Sequence, residues 1–487
     1  MKKEHNIVLY SAVALLTFVL LFAISPDSYT HGAYNRIDSA WFFMCGKAWM
    51  NGMTPYVDFA DSKGPLLWLI YGAGYLISHY DYHGVFWISW AWYVATFVVT
   101  YRTAQLLLRE WQKAALLTIL MTLAYFNPWF HYETRAEDFA LLFLIISLHT
   151  VVAALYGTDG AQPSTRRSFF TLGVCFSALL LMKYNIAAMQ LVFPAYLLYT
   201  VYKREKVLLM PLLWATFGFA AVILPFAVYF TVAGNFSAFV QEYFISTLGT
   251  VSGRTYAEDW KAALNDCRSL ALLAMTIAGS LLMASRLKND RFFPLLSSLF
   301  VFALTVKHSY WPYYFNTCSL GAIWLPCYLL SAISWQPRLR HVVATATIVL
   351  AFCIVENIFT RAVLRPVFFR DYPEKEHFCK VSEVMSCVEY PTIINAGFHE
   401  FGYGLMAHAL PGAKYWTLQN GAYPAMVAEH RREVLSGRSD FIFVYNTNKL
   451  KRANMTLDDI KQAGYRVCYE WGDPNDRHYL MTNITTN

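Results

Sequence analysis

Residues 139–156 read FALLFLIISLHTVVAALY, and no Asp, Glu, Lys or Arg interrupts them. An α-helix rises about 1.5 Å per residue, so a run of this length nearly spans the roughly 30 Å hydrocarbon core of a bilayer. The residues just before the run are different in kind, because Arg135, Glu137 and Asp138 are all charged. An apolar run with a charged boundary is typical of a transmembrane helix. The stretch therefore predicts a span rather than a helix of a soluble core.

Runs of this kind recur along the first three quarters of the 487-residue chain. They cover residues 7–24, 85–108, 114–130, 139–156, 169–182, 186–202, 207–232, 263–284, 292–306, 311–334 and 341–360. Hydrophobic residues make up 57% of the chain and charged residues 15%, against about 25% charged in an ordinary soluble protein. The sequence therefore predicts a polytopic α-helical membrane protein with about 11 transmembrane helices, and it argues against disorder and against a soluble enzyme.

The formal net charge of +7 comes from small basic clusters between the apolar runs, which argues against nucleic-acid binding. The clusters are Lys2/Lys3, Arg109/Lys113, Arg166/Arg167, Lys203/Arg204/Lys206, Arg286/Lys288/Arg291 and Arg338/Arg340. All of them fall on one side of the membrane if residues 64–79 lie in the outer interface as a helix instead of crossing. The positive-inside rule makes that side cytoplasmic. We therefore expect a cell-membrane protein with a cytoplasmic N-terminus and an external (periplasmic) tail.

Two domains are expected from the composition. Residues 1–360 form a transmembrane domain, in which 7–24 is the first span rather than a signal peptide and 25–84 is a large first external loop. Residues 361–487 form a small external α/β domain, with helices at 374–387 and 457–463 and strands at 392–395, 441–445 and 465–470. Cys379, Cys387 and Cys468 lie in it, where one disulfide and none are both compatible with the sequence.

Ionisable residues collect at the predicted outer face, beginning with the first loop. Asp38 follows the first span, and residues 51–67 read NGMTPYVDFADSKGPLL, which places Asp58, Asp61 and Lys63 just before a helix start. Ionisable groups at this depth cost free energy unless they are paired or used. We therefore treat these four residues as candidate site residues.

A second group of candidates comes from later external loops. It comprises Arg135, Glu137, Asp138, Lys307, His308 and Tyr310. Two structural interpretations stay open for this group. Arg135 with Glu137 or Asp138 fits an ion pair that closes the loop, and the residues around Lys307 fit an interfacial aromatic belt with a lysine reaching the headgroups.

The first-loop pattern resembles that of the GT-C glycosyltransferases. An early acid (Asp38), a following G..PY.D and an acid-x-Lys before Gly64-Pro65-Leu66 are similar to motifs of the lipid A aminoarabinose transferases and protein O-mannosyltransferases. One departure is that relatives usually carry Lys-Pro-Pro or His-Pro-Pro where this chain has Lys63-Gly64-Pro65. The resemblance implies a polyprenyl-phosphate-linked sugar donor, an inverting transfer at the outer face, and a glycolipid, polysaccharide or protein as acceptor, with membrane lipids around the spans.

The resemblance also implies roles for residues. Asp38 would act as the general base, and Asp138 or Glu137 would be the second acid that orients a substrate. Lys63 would meet the charge of the leaving phosphate, with Asp61 holding it in place. Asp58, Arg135, Lys307, His308 and Tyr310 are further candidates for binding substrate, by position. No cofactor is certain, and a divalent metal on Asp38 and Asp138 is left open.

Two other classes of function remain as alternatives. A membrane transporter or flippase of lipid-linked sugars would place ionisable residues or broken helices near mid-membrane. Few ionisable residues fall there in this sequence, and Lys183 and Glu356 lie near predicted span ends. A non-catalytic polysaccharide assembly protein would use the external domain and would not require Asp38 or Lys63.

Overall fold

The computed structural model describes residues 3–30, 38–127, 134–157, 164–246, 255–287, 290–308, 312–334, 337–368, 375–397, 402–405, 407–418, 422–473 and 477–484. Ten helices occupy the first half of this described chain. They are α1 (Lys3–Ile24), α2 (Asp38–Met50), α3 (Pro65–Ile77), α4 (His83–Leu108), α5 (Trp111–Tyr125), α6 (Ala136–Tyr156), α7 (Thr165–Met182), α8 (Tyr184–Gln190), α9 (Val192–Glu205) and α10 (Leu209–Val232).

Further helices of varied length follow in the second half of the chain. After the turn Phe236–Phe239 and a π-helix at Val240–Ser246 come the α-helices Tyr256–Asn265, Cys267–Ala284, Phe293–Val306, Trp324–Ala332, Leu339–Phe368, Lys375–Met385, Pro424–Val434 and Leu457–Gln462, with 3₁₀ helices at Pro312–Ile323 and Thr447–Ala453. Five strands close the chain: β1 (Thr392–Asn395), β2 (Leu410–Pro411), β3 (Phe441–Val444), β4 (Arg466–Trp471) and β5 (His478–Thr482).

Helix is present in each of the predicted spans. Six helices of the described residues are long and apolar enough to cross a bilayer, which makes this a multi-pass membrane protein. They are α4, α6, α7, α10, Cys267–Ala284 and the first 22 residues of Leu339–Phe368. The run 65–77 is a helix, as expected, and it is among the shorter apolar helices. The full number of about 11 spans stays a prediction.

Three predicted runs differ from the helices that form. The run 186–202 is divided between α8 and α9, with Leu191 between them, and the run 311–334 begins as a 3₁₀ helix before Trp324. The last span was expected to end at residue 360, but its helix continues to Phe368. Arg361 ends the apolar run without ending the helix, because arginine, alanine and leucine all favour helix.

The described contacts divide the chain into two compact units. The first unit comprises residues 1–25, 89–226 and 254–368, and the second comprises residues 26–88, 227–253 and 369–487. The domain boundary at residue 360 expected from composition stays a prediction.

Close helix packing in the first unit depends on glycine. A Cβ atom added to Gly173 of α7 would lie 2.0 Å from the carbonyl oxygen of Ala215 in α10, and one added to Gly218 would lie 2.0 Å from that of Phe170. No side chain fits at such distances, so the two backbones meet directly. Small residues at helix contacts are the usual device in membranes, where lipid is as apolar as the side chains.

The second unit contains a five-stranded mixed sheet in the order β2-β1-β3-β5-β4. β1 pairs in parallel with β2 and β3, whereas β5 pairs antiparallel with β3 and β4. β3 lies in the middle and all four of its residues are buried, as expected for a central strand. The strands expected near 392–395, 441–445 and 465–470 are β1, β3 and β4. Cys379, Cys387 and Cys468 are all free thiols in this structure.

Candidate active site

Asp38 is the first residue of α2, and its side chain is half-buried. The backbone N–H groups at a helix start carry partial positive charge, which stabilises a carboxylate in the first turn. The residues of α2 from Ser39 to Ala48 are buried, so the helix is held firmly. An acid at the start of a fixed helix keeps its position, as a general base must.

Asp58 closes a tight turn in the first loop. The Thr54 N–H donates to Asp58 Oδ2 at 2.6 Å, and the Tyr56 N–H donates to the Phe59 carbonyl at 2.7 Å. Tyr56 has φ +65°, a left-handed conformation that is costly for a bulky residue, so its surroundings must hold it. This geometry favours a structural role for Asp58. Its contact with substrate stays a prediction.

Asp61 and Lys63 form a buried acid with a partly exposed cation. Lys63 Nζ lies 3.7 Å from Asp61 Oδ1 and donates to Ser62 Oγ at 3.0 Å. The Asp61 side chain is 2% exposed and the Lys63 side chain 22% exposed. Burial, and next the Asp61 carboxylate, raises the pKa of the Cys45 thiol well above its usual value, so Cys45 stays neutral. The pair therefore lies partly in low-dielectric surroundings, with the ammonium group towards the open side.

Lys63 also lies against the helix that Asp38 begins. Its Nζ is 5.5 Å from the centre of the Phe42 ring, within cation–π range. Phe42 follows Asp38 by one helical turn, and residues four apart share a helix face. The fold therefore brings Lys63 and Asp38 to the same face of α2. We call Asp38, Asp58, Asp61 and Lys63 the first-loop cluster.

Asp138 organises the start of α6 in the first unit. Its Oδ2 accepts the backbone N–H of Arg135 at 2.9 Å, and its Oδ1 accepts the Tyr93 hydroxyl at 2.7 Å and the Asn316 amide at 3.0 Å. The first of these bonds belongs to a capping box. Asp138 is buried, and three donors around one carboxylate suit an ionised acid that fixes neighbouring elements.

Glu137 is paired with Lys183, which joins the start of α6 to the residue between α7 and α8. Lys183 Nζ lies 2.5 Å from Glu137 Oε1, and the two side chains are 7% and 2% exposed. Lys183 Nζ also lies 4.0 Å from the centre of the Tyr314 ring. Burial alone would lower the pKa of Lys183, but the Glu137 carboxylate and Tyr314 raise it above its usual value. The carboxylate of Glu137 therefore favours the charged form of Lys183.

Lys307 and His308 follow the helix Phe293–Val306. Lys307 Nζ lies 3.1 Å from Asp259 Oδ2, and 37% of the Lys307 side chain is exposed. The His308 ring stacks on Tyr314 at 4.4 Å between ring centres, and its Nε2 lies 3.0 Å from Asn185 Nδ2. Burial, with Lys183 and Lys307 nearby, lowers the pKa of His308 to about 4. His308 is therefore neutral at pH 7 and accepts the Asn185 amide.

The guanidinium of Arg135 packs against an aromatic ring, and the two structural interpretations of this group of residues stay predictions. The Arg135 Cζ lies 3.8 Å from the centre of the Tyr313 ring, whereas Glu137 pairs with Lys183 and Asp138 accepts the Arg135 backbone. Lys307 makes an ion pair with Asp259. Tyr310 lies outside the described residues. We call Arg135, Glu137, Asp138, Lys183, Lys307 and His308 the span-end cluster.

The sequence pointed to most of the span-end cluster but missed the role of Lys183. Glu137 and Lys183 are 46 residues apart in the chain. The sequence alone locates Lys183 near the end of a predicted span but identifies no partner for it. A lysine between two apolar runs, in Met182-Lys183-Tyr184-Asn185, was the available signal, because a cation there requires an acid or water. Nothing in the local sequence of Lys183 identifies Glu137 as that acid.

The described residues contain no group of three His, Cys, Asp or Glu side chains that could hold a metal ion. The oxygens of Asp138 already accept from three protein donors, two of them on the same atom. The described side chains therefore do not fit the metal that was left open on Asp38 and Asp138, and no chemical step is derived through one.

No protein-family model and no curated protein matches the sequence. Solved structures do match the fold. ArnT from Cupriavidus metallidurans, solved bound to undecaprenyl phosphate, is similar with a TM-score of 0.59 and 13% identity over 99% of each chain. The mycobacterial arabinofuranosyltransferase AftD is similar with a TM-score of 0.51 and 12% identity, over 98% of this chain and 40% of AftD. A mutant form of AftD gives a TM-score of 0.50 and 12% identity, over 98% and 42%.

ArnT is a lipid A aminoarabinose transferase, and both it and AftD are GT-C enzymes. At these identities the likeness concerns the fold, and it extends over nearly the whole of this chain. The resemblance first noted in the motif between Asp38 and Leu67 is thereby confirmed at the level of the fold. This chain has the fold of the GT-C membrane glycosyltransferases.

Proposed function

We propose that this protein is an integral membrane glycosyltransferase that moves one sugar from a polyprenyl-phosphate donor to an acceptor outside the cytoplasm. The observation that carries the proposal is the fold shared over 99% of the chain with ArnT, whose structure holds undecaprenyl phosphate. A fold alone hosts many functions, so the assignment also needs residues of this chain with suitable chemistry. The first-loop cluster offers them.

Asp38 is the proposed general base. Its carboxylate takes the proton from an acceptor hydroxyl as the oxygen attacks the anomeric carbon of the donor sugar. The new carbon–oxygen bond forms as the bond to the phosphate oxygen breaks, and the polyprenyl phosphate leaves with that electron pair. Attack opposite the leaving group inverts the anomeric configuration. The carboxylate lies in the first turn of α2, where the partial positive charge of the helix start stabilises it.

Lys63 is the proposed partner of the leaving phosphate. Negative charge grows on that phosphate in the transition state, so a fixed cation beside it lowers the barrier. Lys63 is held by Asp61 and Ser62, and its side chain is partly exposed. Asp61 is therefore a positioning residue in this account.

The span-end cluster is assigned to substrate binding. Lys307 and Arg135 are candidate contacts for the donor, because each places a cation at the end of a helix rather than within a span. Asp138 and Glu137 hold neighbouring elements and would orient a substrate through them. His308 and Tyr310 complete the predicted set.

The membrane topology proposed for this activity follows from the charge pattern. The N-terminus is cytoplasmic, while the first-loop cluster and residues 361–487 lie on the external face. The acceptor is a glycolipid, a polysaccharide or a protein exposed on that face.

A chemical assay in detergent tests this function. Purified protein is mixed with a defined polyprenyl-phosphate sugar and an extract of cell-envelope glycans, and released polyprenyl phosphate is measured by mass spectrometry. A glycosyltransferase releases it only when acceptor is present, and the glycoside formed has inverted configuration by NMR. A transporter or a non-catalytic assembly protein leaves the donor intact, because detergent micelles have no second compartment. An intact donor in the presence of acceptor would overturn the proposal.

A further inference from the structure

A small polar cavity lies in the first unit, where three of its helices end together. It is enclosed by the last turn of α6, the first turn of α7 and the last turns of α9, and its volume is about 80 Å³. The polar residues that line it are Thr165, Ser168, Thr200, Arg204 and Glu205. A single water needs roughly 10–15 Å³ of cavity volume, so this cavity admits a group of a few heavy atoms, such as a phosphate.

Ser168 supplies a buried hydroxyl group to this cavity. The residue is 2% exposed, and its Oγ has no hydrogen-bond partner among the described residues. A buried hydroxyl group without a partner costs free energy, and such groups in native proteins usually bond to protein, water or a ligand. The cavity is therefore the place where a partner of Ser168 can lie.

The start of α7 adds backbone donors beside Ser168. The N-cap Ser164 accepts the N–H of Arg167 at 3.3 Å and, through its carbonyl, the N–H of Ser168 at 3.0 Å. The N–H groups of Thr165 and Arg166 have no acceptor among the described residues. The first N–H groups of a helix carry partial positive charge and bind anions well. This wall of the cavity therefore favours an anion.

The opposite wall has a different charge. Arg204 is balanced by Asp290, whose Oδ2 lies 3.3 Å from its Nη2, and the Tyr156 hydroxyl at the end of α6 donates to the Asp290 carbonyl at 2.9 Å. Glu205 is exposed at the rim and forms no ion pair with a described residue. The carboxylate of Glu205 therefore favours a cation a short distance from the anion-binding wall.

We propose that this cavity binds the head group of a zwitterionic phospholipid with a primary amine, as in phosphatidylethanolamine. The phosphate would accept hydrogen bonds from Ser168 Oγ, Thr165 Oγ1 and the first N–H groups of α7, and the ammonium group would donate to Glu205. The occupant is a lipid because the cavity lies at the end of the spans α6 and α7, at the depth of the head groups.

The two walls together set the selectivity for the head group. Phosphatidylglycerol has the phosphate but offers no cation to Glu205. Phosphatidylcholine has a cation, but its quaternary ammonium group cannot donate a hydrogen bond. Only phosphatidylethanolamine satisfies both walls, so it should bind most tightly. This binding does not depend on the proposed glycosyl transfer, because it uses no residue assigned to that reaction.

The test is lipid binding to the full-length protein in detergent, measured by native mass spectrometry. The probes are phosphatidylethanolamine, phosphatidylcholine and phosphatidylglycerol with the same acyl chains, and free phosphoethanolamine as a competitor. Ser168→Ala removes the unpartnered hydroxyl group, and Glu205→Gln removes the carboxylate.

Each variant has a matched control. Ser177→Ala removes another buried hydroxyl group of α7 that does not line the cavity. Glu110→Gln removes an acid at the start of another helix, where it contacts Lys113. Thermal unfolding establishes that all variants are folded, and Glu205 is exposed, so its replacement does not disturb buried packing.

Phosphatidylethanolamine should bind the wild type about tenfold more tightly than either other lipid. Ser168→Ala should weaken the binding of phosphatidylethanolamine and phosphatidylcholine alike, because both carry the phosphate. Glu205→Gln should remove the preference between these two lipids, and the control variants should bind like the wild type.

Three results would overturn the proposal. They are equal binding of the three lipids by the wild type, a preference for phosphatidylethanolamine that persists in Glu205→Gln, and equal effects of Ser168→Ala and Ser177→Ala. Displacement of the lipid by an equal concentration of phosphoethanolamine would identify a site for a soluble ligand and would overturn the assignment to a lipid. Because no transfer is measured, none of these results bears on the proposed enzymatic activity.

Discussion

A lysine that meets a leaving phosphate must be held in place without being neutralised. Lys63 satisfies both conditions, because its distance of 3.7 Å to Asp61 Oδ1 is too long for a good hydrogen bond and its donor contact is to Ser62. The Asp61 carboxylate supplies charge that keeps the ammonium group nearby. A phosphate can therefore join Lys63 without first displacing a tight ion pair.

Replacing Lys63 by Gln should weaken use of the donor more than use of the acceptor. Each contact to a charged group contributes about 1.5–3 kcal/mol, so kcat/KM for the donor should fall about 10- to 100-fold. Because the phosphate gains charge in the transition state, kcat should fall as well. Steady-state kinetics with a defined polyprenyl-phosphate sugar measures both constants.

The matched control is Lys380→Gln in the same unit, where an exposed lysine contacts Glu383 on the surface. It should leave donor kinetics unchanged. If Lys63→Gln keeps wild-type constants for the donor, the phosphate is bound by other residues and the motif match at Lys63 is misleading.

The first-loop cluster lies at the start of α2 and in the loop between α2 and α3. Glycine determines how closely these two helices pack. A Cβ added to Gly46 would lie 2.4 Å from the backbone nitrogen of Gly72. The aromatic rings of Phe42 and Tyr71 meet beside this contact at 5.5 Å. Asp38 begins α2 and Lys63 precedes α3, so the contact sets the distance between the two groups.

Gly46→Ala should therefore separate α2 from α3 and reduce both stability and turnover. Forcing an extra carbon into a packed contact costs about 1–3 kcal/mol. Thermal unfolding in detergent and transfer kinetics would measure the two effects. Ala73→Leu is the control, because it adds more atoms to α3 at an exposed position. Wild-type turnover by Gly46→Ala would show that the helix contact does not position the cluster.

A second element-scale prediction concerns the buried His430 on the helix Pro424–Val434. Its Nε2 accepts the Gly397 N–H at 3.2 Å, and its Nδ1 lies 2.6 Å from the Tyr415 carbonyl, to which it donates. Burial lowers the pKa of His430 to about 4 from a usual value of 6.5. Between these values the unfolded chain binds more protons than the folded one, so stability is lost as the pH falls from 6.5 towards 4.

The melting temperature of the wild type should drop between pH 7 and pH 5, and His430→Asn should show a smaller drop over the same interval. Arg432→Gln on the same helix is the control and should keep the wild-type pH dependence, because arginine stays protonated between pH 5 and pH 7. The readout is the change in melting temperature between pH 7 and pH 5 for each variant. General destabilisation lowers both melting temperatures and does not affect this change. An unchanged drop in His430→Asn would exclude this histidine as the cause.

Hydropathy predicts well where an apolar helix lies in the sequence. It does not predict where such a helix breaks or changes to a 3₁₀ helix. The runs at 139–156 and 207–232 are α6 and α10 within a few residues. The break at Leu191 and the 3₁₀ helix Pro312–Ile323 fall inside equally apolar runs. The bond between Asn316 and Asp138 joins residues 178 apart, and no local pattern encodes such a pair. The motif around Lys63 was visible because its residues are consecutive.

For the whole molecule, the charge pattern predicts which loops face the cytoplasm. Arg166 and Arg167 lie in the first turn of α7, a helix long and apolar enough to span, and the positive-inside rule places them inside. In a variant whose exposed native Cys267, Cys379 and Cys387 are replaced by Ser, a cysteine introduced at Arg167 should resist an impermeant thiol reagent in intact cells, whereas one introduced at Lys380 should react. Reaction at position 167 from outside would reverse the topology and make α3 a true span.

Replacing Asp38 alone separates the proposed chemistry of this residue from its place in the fold. Asp38→Asn keeps the size of the side chain but removes its basic carboxylate. The control is Asp81→Asn in the same loop, where the acid accepts from Ser78 and contacts His83.

Transfer from a defined polyprenyl-phosphate sugar is measured for the purified wild type and both variants, after equal folding is established by thermal unfolding. We expect Asp38→Asn to lose a factor of about 100 or more in turnover while still binding donor, and Asp81→Asn to stay within about twofold of the wild type. Near-normal turnover by Asp38→Asn would exclude Asp38 as the general base.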